Sequence, residues 1–383
     1  MTEGPPIRVL QVLGVPDGGA AEHVLQLSIG LCHRGFAVEI CGPEGWIADR
    51  AREAGLRFEV LRFARSPHPV RDIATLRALR RLARSRRPSV VHLHSSKAGF
   101  LGRIASRRLR IPSVFTPHAW SFLSASGRLD SAIWTGLERI GRRMGATTIC
   151  VSDDEAAGGA AARVTTPSRT VVIANGVHVP AEPLHRPVRD HVTIGSIARL
   201  SPQKGVDVLL RAFAIVAADH PQVRLVIVGG GPLAEELHTL ASQLGIRDRV
   251  EMRGDDPVAR DRLPEFDIFA LASRWEGLSL ALLEARASGL AAVATDVGGT
   301  RQVIRDGVDG LVVPSDDVPA FADALRRLVD DPSLRDGMGR AAHARTLEHF
   351  SVERMVDETA ALYRRVSGAS PAIGAPRERA VTS

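Results

Sequence analysis

Two cations bracket a short loop in the segment ARLSPQKGVDVLL, residues 198–210. Arg199 follows a β-like apolar run and Lys204 precedes a helical pattern, so both belong to a strand-to-helix loop. A guanidinium can grip phosphate oxygens in pairs while an ammonium supplies a compact charge, and together they suit a polyphosphate. Lys204 is also one of only two lysines in a chain with 48 arginines, which favours a specific use for it. The alternative is a pair of surface cations flanking a turn.

Two further polar residues follow other strands. Lys97 opens a helix after VVHLHS, and His118 follows the strand in SVFTPH. In open α/β sheets ligands bind outside the carboxyl ends of the strands, so both positions are candidates. We assign Lys97 to the acceptor side, and His118 to the place where a ligand held by a facing domain would end. The alternative for each is an inert loop residue.

Two glutamates are eight residues apart in SRWEGLSLALLEARASG, where the residues from Ser279 onward read as a helix. Eight residues span a little over two turns, so Glu276 and Glu284 are expected roughly 12 Å apart along one side of that helix. This separation suits the two ends of one elongated ligand. For Glu284 the alternative is a paired carboxylate at the edge of the core. The N–H groups expected to begin the helix, and to attract an anion, belong to Gly277, Leu278 and Ser279.

Glycine-rich loops add backbone that a ligand could approach closely. Gly18 and Gly19 lie between a strand and a helix in GVPDGGAAEHV, and a tight turn is the alternative there. Gly229 and Gly231 lie in VVGGGPLAEEL, again between a strand and a helix. Arg253, at the end of the strand in RVEMRG, is assigned to the same donor-binding set.

Short β-rich runs alternate with helical patterns along the chain, which is typical of parallel α/β sheets. They form two series, separated by a linker at residues 177–190 that contains three prolines. The fold class predicted is therefore α/β, with two doubly wound Rossmann-like domains facing across a cleft. The first domain is placed at residues 1–180 and the second at 191–350. Residues 351–366 form a helix that could pack back on the first domain, and 367–383 a disordered tail.

Composition excludes several classes of protein. No apolar run approaches the length of a membrane span, and the N-terminus lacks a signal-peptide pattern, so a cytoplasmic protein is expected. Residues 1–180 contain 25 lysines and arginines against 14 acidic residues, whereas 181–383 contain 25 against 29. Seven of these arginines lie at residues 71–87, where apolar side chains recur at helical spacing. These arginines either face solvent along one side of a helix or attract an anionic partner. That partner would be a phosphate-bearing acceptor or an anionic membrane, with the protein bound peripherally to its inner face. With one tyrosine and no interleaved aromatics, a nucleic-acid partner is not expected.

Together these loops resemble the family 4 retaining glycosyltransferases, which have the two-domain GT-B fold. The resemblance covers nearly the whole chain, and its most specific part is the E-x7-E pattern of Glu276 and Glu284. ARLSPQKG, VVGGGP, IANGV around Asn175 and the early GG loop also stand at matching positions. It implies that Arg199 and Lys204 hold the diphosphate of a nucleotide-sugar.

The same resemblance implies roles for the remaining residues. Glu284 would bind the ribose and Glu276 the sugar hydroxyls, while Gly19 and His118 would contribute from the first domain. It also implies transfer with retention by attack from the leaving-group face, without a protein nucleophile. The donor expected is a nucleotide-sugar, with UDP as the nucleotide. The acceptor expected is a hydroxyl, on a lipid-linked sugar, a surface polysaccharide or a small natural product.

The chemistry expected needs neither a metal nor a cofactor. No D-x-D sequence occurs, so the departing diphosphate is expected to be stabilised by fixed cations and a helix terminus. Three alternatives remain open: a nucleotide-sugar epimerase on the same fold, a dinucleotide-dependent oxidoreductase, and a sugar-nucleotide binding protein without catalytic activity. The oxidoreductase is disfavoured because GGGP and DGG lack the further glycine and the ribose-binding acid of such sites.

Overall fold

Two parallel β-sheets organise the chain, one in each half. A computed structural model describes residues 5–63, 68–123, 127–185, 189–256 and 258–368. Within these residues the strands of the first half are β1 (Arg8–Leu13), β2 (Ala37–Gly42), β3 (Arg57–Val60), β4 (Val90–His94), β5 (Ser113–Thr116), β6 (Thr147–Cys150) and β7 (Thr170–Val172). They form one parallel sheet in the order β3-β2-β1-β4-β5-β6-β7. The order reverses between β1 and β4, as in doubly wound sheets.

Helices connect these strands and cover the sheet. They are α1 (Gly19–His33), α2 (Trp46–Glu53), α3 (Pro69–Arg86), α4 (Ser96–Leu109), α5 (Arg128–Arg142) and α6 (Asp153–Ala161). Every residue of β4 is buried. A strand buried on both faces reads as a continuous apolar run with few interruptions, and VVHLH departs from this only by its two histidines. Those two polar side chains therefore need partners inside the domain.

The second half repeats the arrangement. Its described strands are β8 (Thr193–Ile197), β9 (Arg224–Val228), β10 (Val250–Met252), β11 (Ile268–Leu271), β12 (Ala291–Thr295) and β13 (Leu311–Val313), in the order β10-β9-β8-β11-β12-β13. The helices are α7 (Val206–Asp219), α8 (Ala234–Gln243), α9 (Leu280–Ala287), α10 (Thr300–Val303), α11 (Val318–Asp330) and α12 (Pro332–His349). The order again reverses in the middle, between β8 and β11, which places the ends of these two strands side by side.

The last helix, α13 (Val352–Ser367), returns to the first half of the chain. The hydroxyl of Ser351 caps it by accepting a hydrogen bond from the N–H of Arg354. Its apolar face, including Met355 and Tyr363, packs in one buried cluster with side chains of β1 and α1. The second half of the chain is thus anchored on the first sheet by its own C-terminal helix.

The α/β class with two doubly wound domains is confirmed by these two sheets. β7 was not anticipated, because a three-residue strand carries almost no periodic signal. The residues that were expected to form a disordered tail lie, from 369 onward, outside the described residues. Among the described residues no helix combines the length and the apolar character needed to cross a bilayer.

Candidate active site

Lys204 and Glu276 form an ion pair between the loops that follow β8 and β11 in the second domain. Nζ of Lys204 lies 2.5 Å from Oε1 of Glu276, which also accepts a hydrogen bond of 2.8 Å from the hydroxyl of Ser273. Their side chains are only 19% and 9% exposed. Gly205 after the lysine has φ +58°, and a Cβ there would lie 2.0 Å from the carbonyl oxygen of Ala272. Only glycine permits this close approach of the two loops that carry the pair.

Arg199 lies beyond the end of β8, and its side chain is exposed. Within the described part of the chain no ion pair holds its guanidinium, which leaves it available to a ligand. Gly229 and Gly231 explain how its loop is held: a Cβ on them would lie 2.2 Å from the carbonyl oxygen of Ala198 and 2.3 Å from that of Leu200. The glycine-rich loop therefore packs its backbone directly on the segment that carries Arg199.

Arg253 and Lys97 are not brought to this group. The guanidinium of Arg253 pairs with Glu251 at 2.9 Å and with Glu265 at 2.6 Å. The ammonium of Lys97, at the start of α4, lies 2.9 Å from a carboxylate oxygen of Asp72. Both cations are thus engaged by neighbouring acids.

Glu284 projects from α9 as a half-buried carboxylate, and no hydrogen bond to its side chain is found among the described residues. Burial raises the pKa of Glu284 to about 7; Arg260 opposes this shift and Glu22 adds to it. A buried carboxylate without donors is costly, and a ligand with hydroxyl groups would relieve that cost.

The start of α9 corrects one expectation from the sequence. The helix begins at Leu280, with the hydroxyl of Ser279 accepting a hydrogen bond from the N–H of Leu282 as its N-cap. Gly277 and Leu278 therefore precede the helix, and their N–H groups do not begin it. Glu276 also lies outside it, so the two glutamates do not stack along one helix side. Ser279 marks the start of the helix because its hydroxyl replaces a missing backbone acceptor.

The first domain reaches this region through three segments. Gly18, with φ +82°, precedes α1, and a Cβ on Gly19 would lie 3.8 Å from Cδ1 of Leu280 at the start of α9. A Cβ on Gly277 would lie 3.0 Å from the backbone nitrogen of Ala119, next to His118. The amide of Asn175 donates a 2.8 Å hydrogen bond to the carbonyl of Leu278. The loop of His118 is thus placed against the segment that follows Glu276.

A buried carboxylate fixes the backbone around His118. His118 and Ala119 have φ values of +54° and +79°, in the left-handed region that non-glycine residues rarely occupy. Glu155 accepts hydrogen bonds from the N–H of Ala119 at 2.6 Å and of Val151 at 2.7 Å. Burial raises the pKa of Glu155 to about 7, which these two hydrogen bonds oppose. Glu155 therefore stabilises the left-handed backbone of this loop by its hydrogen bond to the N–H of Ala119.

His118 also ends a buried chain of hydrogen bonds. Its Nε2 lies 3.0 Å from Nδ1 of His94, whose Nε2 lies 2.8 Å from Oε1 of Gln11. The amide of Gln11 donates to the hydroxyl of Tyr363 at 3.2 Å, and that hydroxyl lies 2.5 Å from Nδ1 of His92. With Nε2–H of His94 donating to Gln11, its Nδ1 must accept, so Nε2 of His118 is the donor. Through Gln11 and His94, the hydroxyl of Tyr363 on α13 thus determines which ring nitrogen of His118 carries the proton.

The imidazoles of this region are neutral at pH 7. Burial, before all other causes, lowers the pKa of His23 to about 4. Burial also lowers the pKa of His94 and of His118 well below the ordinary value, and the neighbouring imidazoles lower both further. A neutral His118 can exchange hydrogen bonds without adding positive charge to the cleft.

Several of these residues were missed in the sequence, although some signals were present. His92 and His94 stand two apart in a buried strand and so share one face. Ser152 and Glu155 fit the S-x-x-E pattern of a helix start, and Ser152 does accept a hydrogen bond from the N–H of Glu155. Tyr363 could not have been found, because nothing in its helix tells which side chains it will meet.

Comparison with known proteins agrees with this architecture. Residues 17–179 match the model of "Glycosyltransferase Family 4" and residues 185–345 that of "Glycosyl transferases group 1". The chain is 30% identical to D-inositol 3-phosphate glycosyltransferase of Kribbella flavida, over 91% of this chain and 90% of that one. It is 27% identical to the UDP-Gal:alpha-D-GlcNAc-diphosphoundecaprenol alpha-1,3-galactosyltransferase of Escherichia coli, over 85% and 87%.

A solved structure shows the same fold. HepE of Anabaena, crystallised with UDP and glucose, superposes with a TM-score of 0.80 at 20% identity, covering 93% of this chain and 99% of HepE. The two sheets, their reversal points and the facing loops are those of the GT-B fold. From its sequence relatives and its architecture, the chain belongs to glycosyltransferase family 4.

Proposed function

We propose that this protein transfers a sugar, with retention of anomeric configuration, from a UDP-sugar to a hydroxyl of a lipid-linked acceptor. One observation carries the proposal. The Lys204–Glu276 ion pair of the second domain stands next to the segment at Gly277, against which the first domain places the loop of His118. A nucleotide-sugar spanning this junction would have its diphosphate beside cations and its sugar beneath His118.

The cations supply what the leaving group needs. As the bond between the anomeric carbon and the diphosphate oxygen breaks, negative charge grows on the diphosphate. Lys204 is preorganised by Glu276 and Ser273, and Arg199 is exposed without an acidic partner among the described residues. Preorganised charge aimed at a developing anion commonly contributes more to such catalysis than any other single effect. The proposal therefore assigns this stabilisation to the protein's own cations and requires no metal ion.

The carboxylates are assigned to hydroxyl groups of the donor. Glu284 has a half-buried carboxylate without a hydrogen-bond partner among the described residues, and ribose hydroxyls would supply one. Glu276 can keep its bond to Lys204 through Oε1 and offer Oε2 to a sugar hydroxyl. Hydrogen bonds to an ionised group contribute about 1.5–3 kcal/mol, so both assignments are large enough to measure.

For a transfer with retention, the groups that remain free favour one of two routes. A double-displacement route needs a carboxylate that can attack the anomeric carbon. Glu155 uses its two oxygens for backbone N–H groups, while Oε1 of Glu276 is bound to Lys204 and Ser273 and its Oε2 is assigned to a sugar hydroxyl. This supports attack by the acceptor hydroxyl from the leaving-group face. The new C–O bond forms as the old one breaks, and the acceptor proton passes to the departing diphosphate oxygen.

A neutral His118 suits this route. The sugar becomes positively charged as the leaving group departs, and an imidazolium beside it would oppose that charge. Burial and the neighbouring imidazoles keep the pKa of His118 low, so the ring can bind a sugar or acceptor hydroxyl while remaining uncharged. Gln11 and His94 orient the ring through the hydrogen bonds described above.

The donor and acceptor classes are supported by named relatives. The E. coli relative is named for a UDP-galactose donor and a diphosphoundecaprenol acceptor, and HepE was crystallised with UDP and glucose. A lipid-diphosphate acceptor would be anchored in a membrane by its lipid, with its charged diphosphate at the membrane surface.

The surface of α5 fits such a membrane. Leu129 and Ile133 are 77% and 49% exposed, and Ile140 is 48% exposed on the same helix face. Exposed arginines at 139, 142 and 143 follow along the helix. Apolar side chains flanked by arginine favour insertion at an anionic lipid surface. We therefore assign α5 to peripheral contact with the membrane that holds the acceptor.

A binding panel followed by product analysis tests the proposal. UDP should stabilise the protein more than the other nucleoside diphosphates do. At 100 times its dissociation constant it should add about 2.7 kcal/mol to the free energy of unfolding of the ligand-free protein. NMR of the product should then show the same anomeric configuration as the donor. An inverted product would overturn retention, and stabilisation by UDP without transfer to any acceptor would identify a binding protein. Conversion of the donor sugar without acceptor would identify an epimerase.

A further inference from the structure

Three imidazoles from separate elements meet in the first domain beside the cleft. His23 lies on α1, His94 ends β4 and His118 follows β5. One ring nitrogen from each lies within 4.8 Å of the other two, and the described residues contain no other group of three His, Cys, Asp or Glu side chains this close. We propose that His23, His94 and His118 form a binding site for one divalent transition metal of the Zn²⁺ type.

The spacing is near what a metal needs. Zinc–imidazole bonds are about 2.0–2.1 Å long, so two nitrogens in tetrahedral geometry lie about 3.4 Å apart. Nδ1 of His94 and Nε2 of His118 already stand 3.0 Å apart. Binding would require the proton on Nε2 of His118 to move to Nδ1 of the same ring. The nitrogen of His23 lies within 4.8 Å of the other two and would have to move closer on binding.

The surroundings of His94 match those of a metal ligand. Ligating imidazoles usually donate their second N–H to a carbonyl or carboxylate, which fixes the tautomer. Nε2 of His94 lies 2.8 Å from Oε1 of Gln11, and the amide of Gln11 is itself fixed by the hydroxyl of Tyr363. This leaves Nδ1 of His94 with its lone pair toward His118.

His23 supplies an independent sign of a missing partner. Its side chain is 4% exposed, and among the described residues Nδ1 makes no hydrogen bond of ordinary geometry, although the side chain of Asn175 lies close enough to raise the pKa of the ring. A buried polar atom of this kind usually has a partner, so an unmet one needs an explanation. Three imidazole ligands suit Zn²⁺, Ni²⁺ or Cu²⁺, whereas Mg²⁺ and Ca²⁺ prefer oxygen. His118 is half-buried, so a fourth position would open toward the cleft.

The site has a consequence for the proposed transfer, and this part rests on the role assigned to His118. With the metal on Nε2, the proton would sit on Nδ1 of His118, and that nitrogen could no longer accept a hydrogen bond from a sugar or acceptor hydroxyl. Loading with Zn²⁺ should therefore inhibit transfer, and a chelator should restore it. A metal ion bound to the three histidines would act as an inhibitor, and Arg199 and Lys204 would still bind the diphosphate.

Titration of the purified full-length protein tests the site. Calorimetry with ZnCl₂ should give one ion per chain, and CoCl₂ should give the intense visible absorption of tetrahedral cobalt. His23→Gln and His94→Gln should each abolish the absorption. Gln11→Ala, which removes only the support of His94, should weaken zinc binding roughly 10–100-fold. The exposed His349→Gln is the matched control and should bind zinc as the unaltered protein does.

The outcomes separate this proposal from that of the transfer reaction. Stabilisation by UDP is measured in EDTA on the same preparations, because the side chains assigned to UDP, Arg199, Lys204 and Glu284, are not among the three histidines. It also reports whether a variant has folded. Absence of zinc and cobalt binding in a protein that responds to UDP would overturn the metal site and leave the transferase proposal intact. Equal binding by His349→Gln and His23→Gln would overturn it as well.

Discussion

Lys204 and Glu276 are 72 residues apart in sequence, yet Nζ and Oε1 are 2.5 Å apart. The contact follows from topology, because β8 and β11 are neighbours in the sheet and each residue lies in the loop after one of them. Each charge offsets the cost of removing the other from water. A diphosphate arriving at Lys204 would therefore meet an ammonium that is already positioned and already partly desolvated.

Replacement of Lys204 by alanine should reduce turnover strongly. Loss of one preorganised donor to a developing anion typically costs about 2.7–4 kcal/mol, so turnover should fall roughly two to three orders of magnitude. UDP should also stabilise the variant less. The measurement is the initial rate of transfer at saturating donor, with thermal unfolding in parallel to confirm that the variant is folded.

The matched control for this substitution is Arg211→Ala, which removes an exposed cation from the helix that follows Lys204. It should leave turnover unchanged. Near-normal turnover of the folded Lys204→Ala variant would refute the assignment of Lys204 to the leaving group.

The sequence located the loops well because parallel sheets bring strand ends together. Arg199, Lys204 and Glu276 were expected in loops after apolar runs, and they lie in the loops that follow β8 and β11. The fold class followed from the alternation of those runs. The start of α9 was misplaced by one residue, since Ser279 could as well have been inside the helix as its cap. Periodicity does not distinguish these two states.

The hydrogen-bond chain to His118 was beyond reach of such reasoning. It requires Gln11 and Tyr363, which are 352 residues apart, to meet in the interior. The packing of α13 on the first sheet decides this, and packing depends on shape across the whole domain. A polar residue in a buried strand predicts that some partner exists, but not which one.

Glu155→Ala should impair both stability and transfer. It leaves the N–H groups of Ala119 and Val151 without an acceptor, at about 1–3 kcal/mol for each buried group. The left-handed backbone at His118 and Ala119 should then relax, so turnover should fall while UDP binding in the other domain is kept. Urea unfolding and transfer rates measure the two effects. Asp154→Ala on the same helix turn is the control, and equal behaviour of both variants would count against the role of Glu155.

Transfer should not depend on added metal. The cations of the second domain are assigned to the leaving group, so excess EDTA should leave the rate unchanged or raise it by removing ions from the three histidines. The measurement compares dialysed enzyme in EDTA with the same enzyme in MgCl₂. An absolute requirement for Mg²⁺ would contradict the assignment of leaving-group stabilisation to Arg199 and Lys204.

Membrane contact through α5 predicts a preference for anionic vesicles. The double variant Leu129→Ser with Ile133→Ser should bind them roughly tenfold or more weakly, because full burial of one such side chain is worth about 1.5–3 kcal/mol. Co-sedimentation with vesicles of anionic and of neutral lipid gives the measurement. Val308→Ser, which removes a 54% exposed apolar side chain from the second domain, is the control. Equal loss in both variants would place the contact elsewhere.

Glu284→Gln should stabilise the free protein while weakening its hold on the donor. The pKa of Glu284 is raised from 4.5 to about 7. The folded protein therefore binds a proton there more tightly than the unfolded chain, and the carboxyl group costs stability as the pH rises from 4.5 through 7. Glutamine cannot ionise, so the variant should gain stability relative to the unaltered protein at pH 8, on the order of 1–3 kcal/mol, and little at pH 4.

Donor binding should change in the opposite direction. A carboxylate that accepts hydrogen bonds from ribose hydroxyls contributes about 1.5–3 kcal/mol, so UDP should bind the variant at least tenfold more weakly at pH 8. Chemical unfolding at both pH values and UDP titration at pH 8 measure the two effects, with the exposed Glu236→Gln as the control. A variant that is more stable yet binds UDP normally would show that Glu284 is a strained core carboxylate and not a ligand of the ribose. Loss of stability at pH 8 would instead mean that the ionised group has a partner in the folded protein.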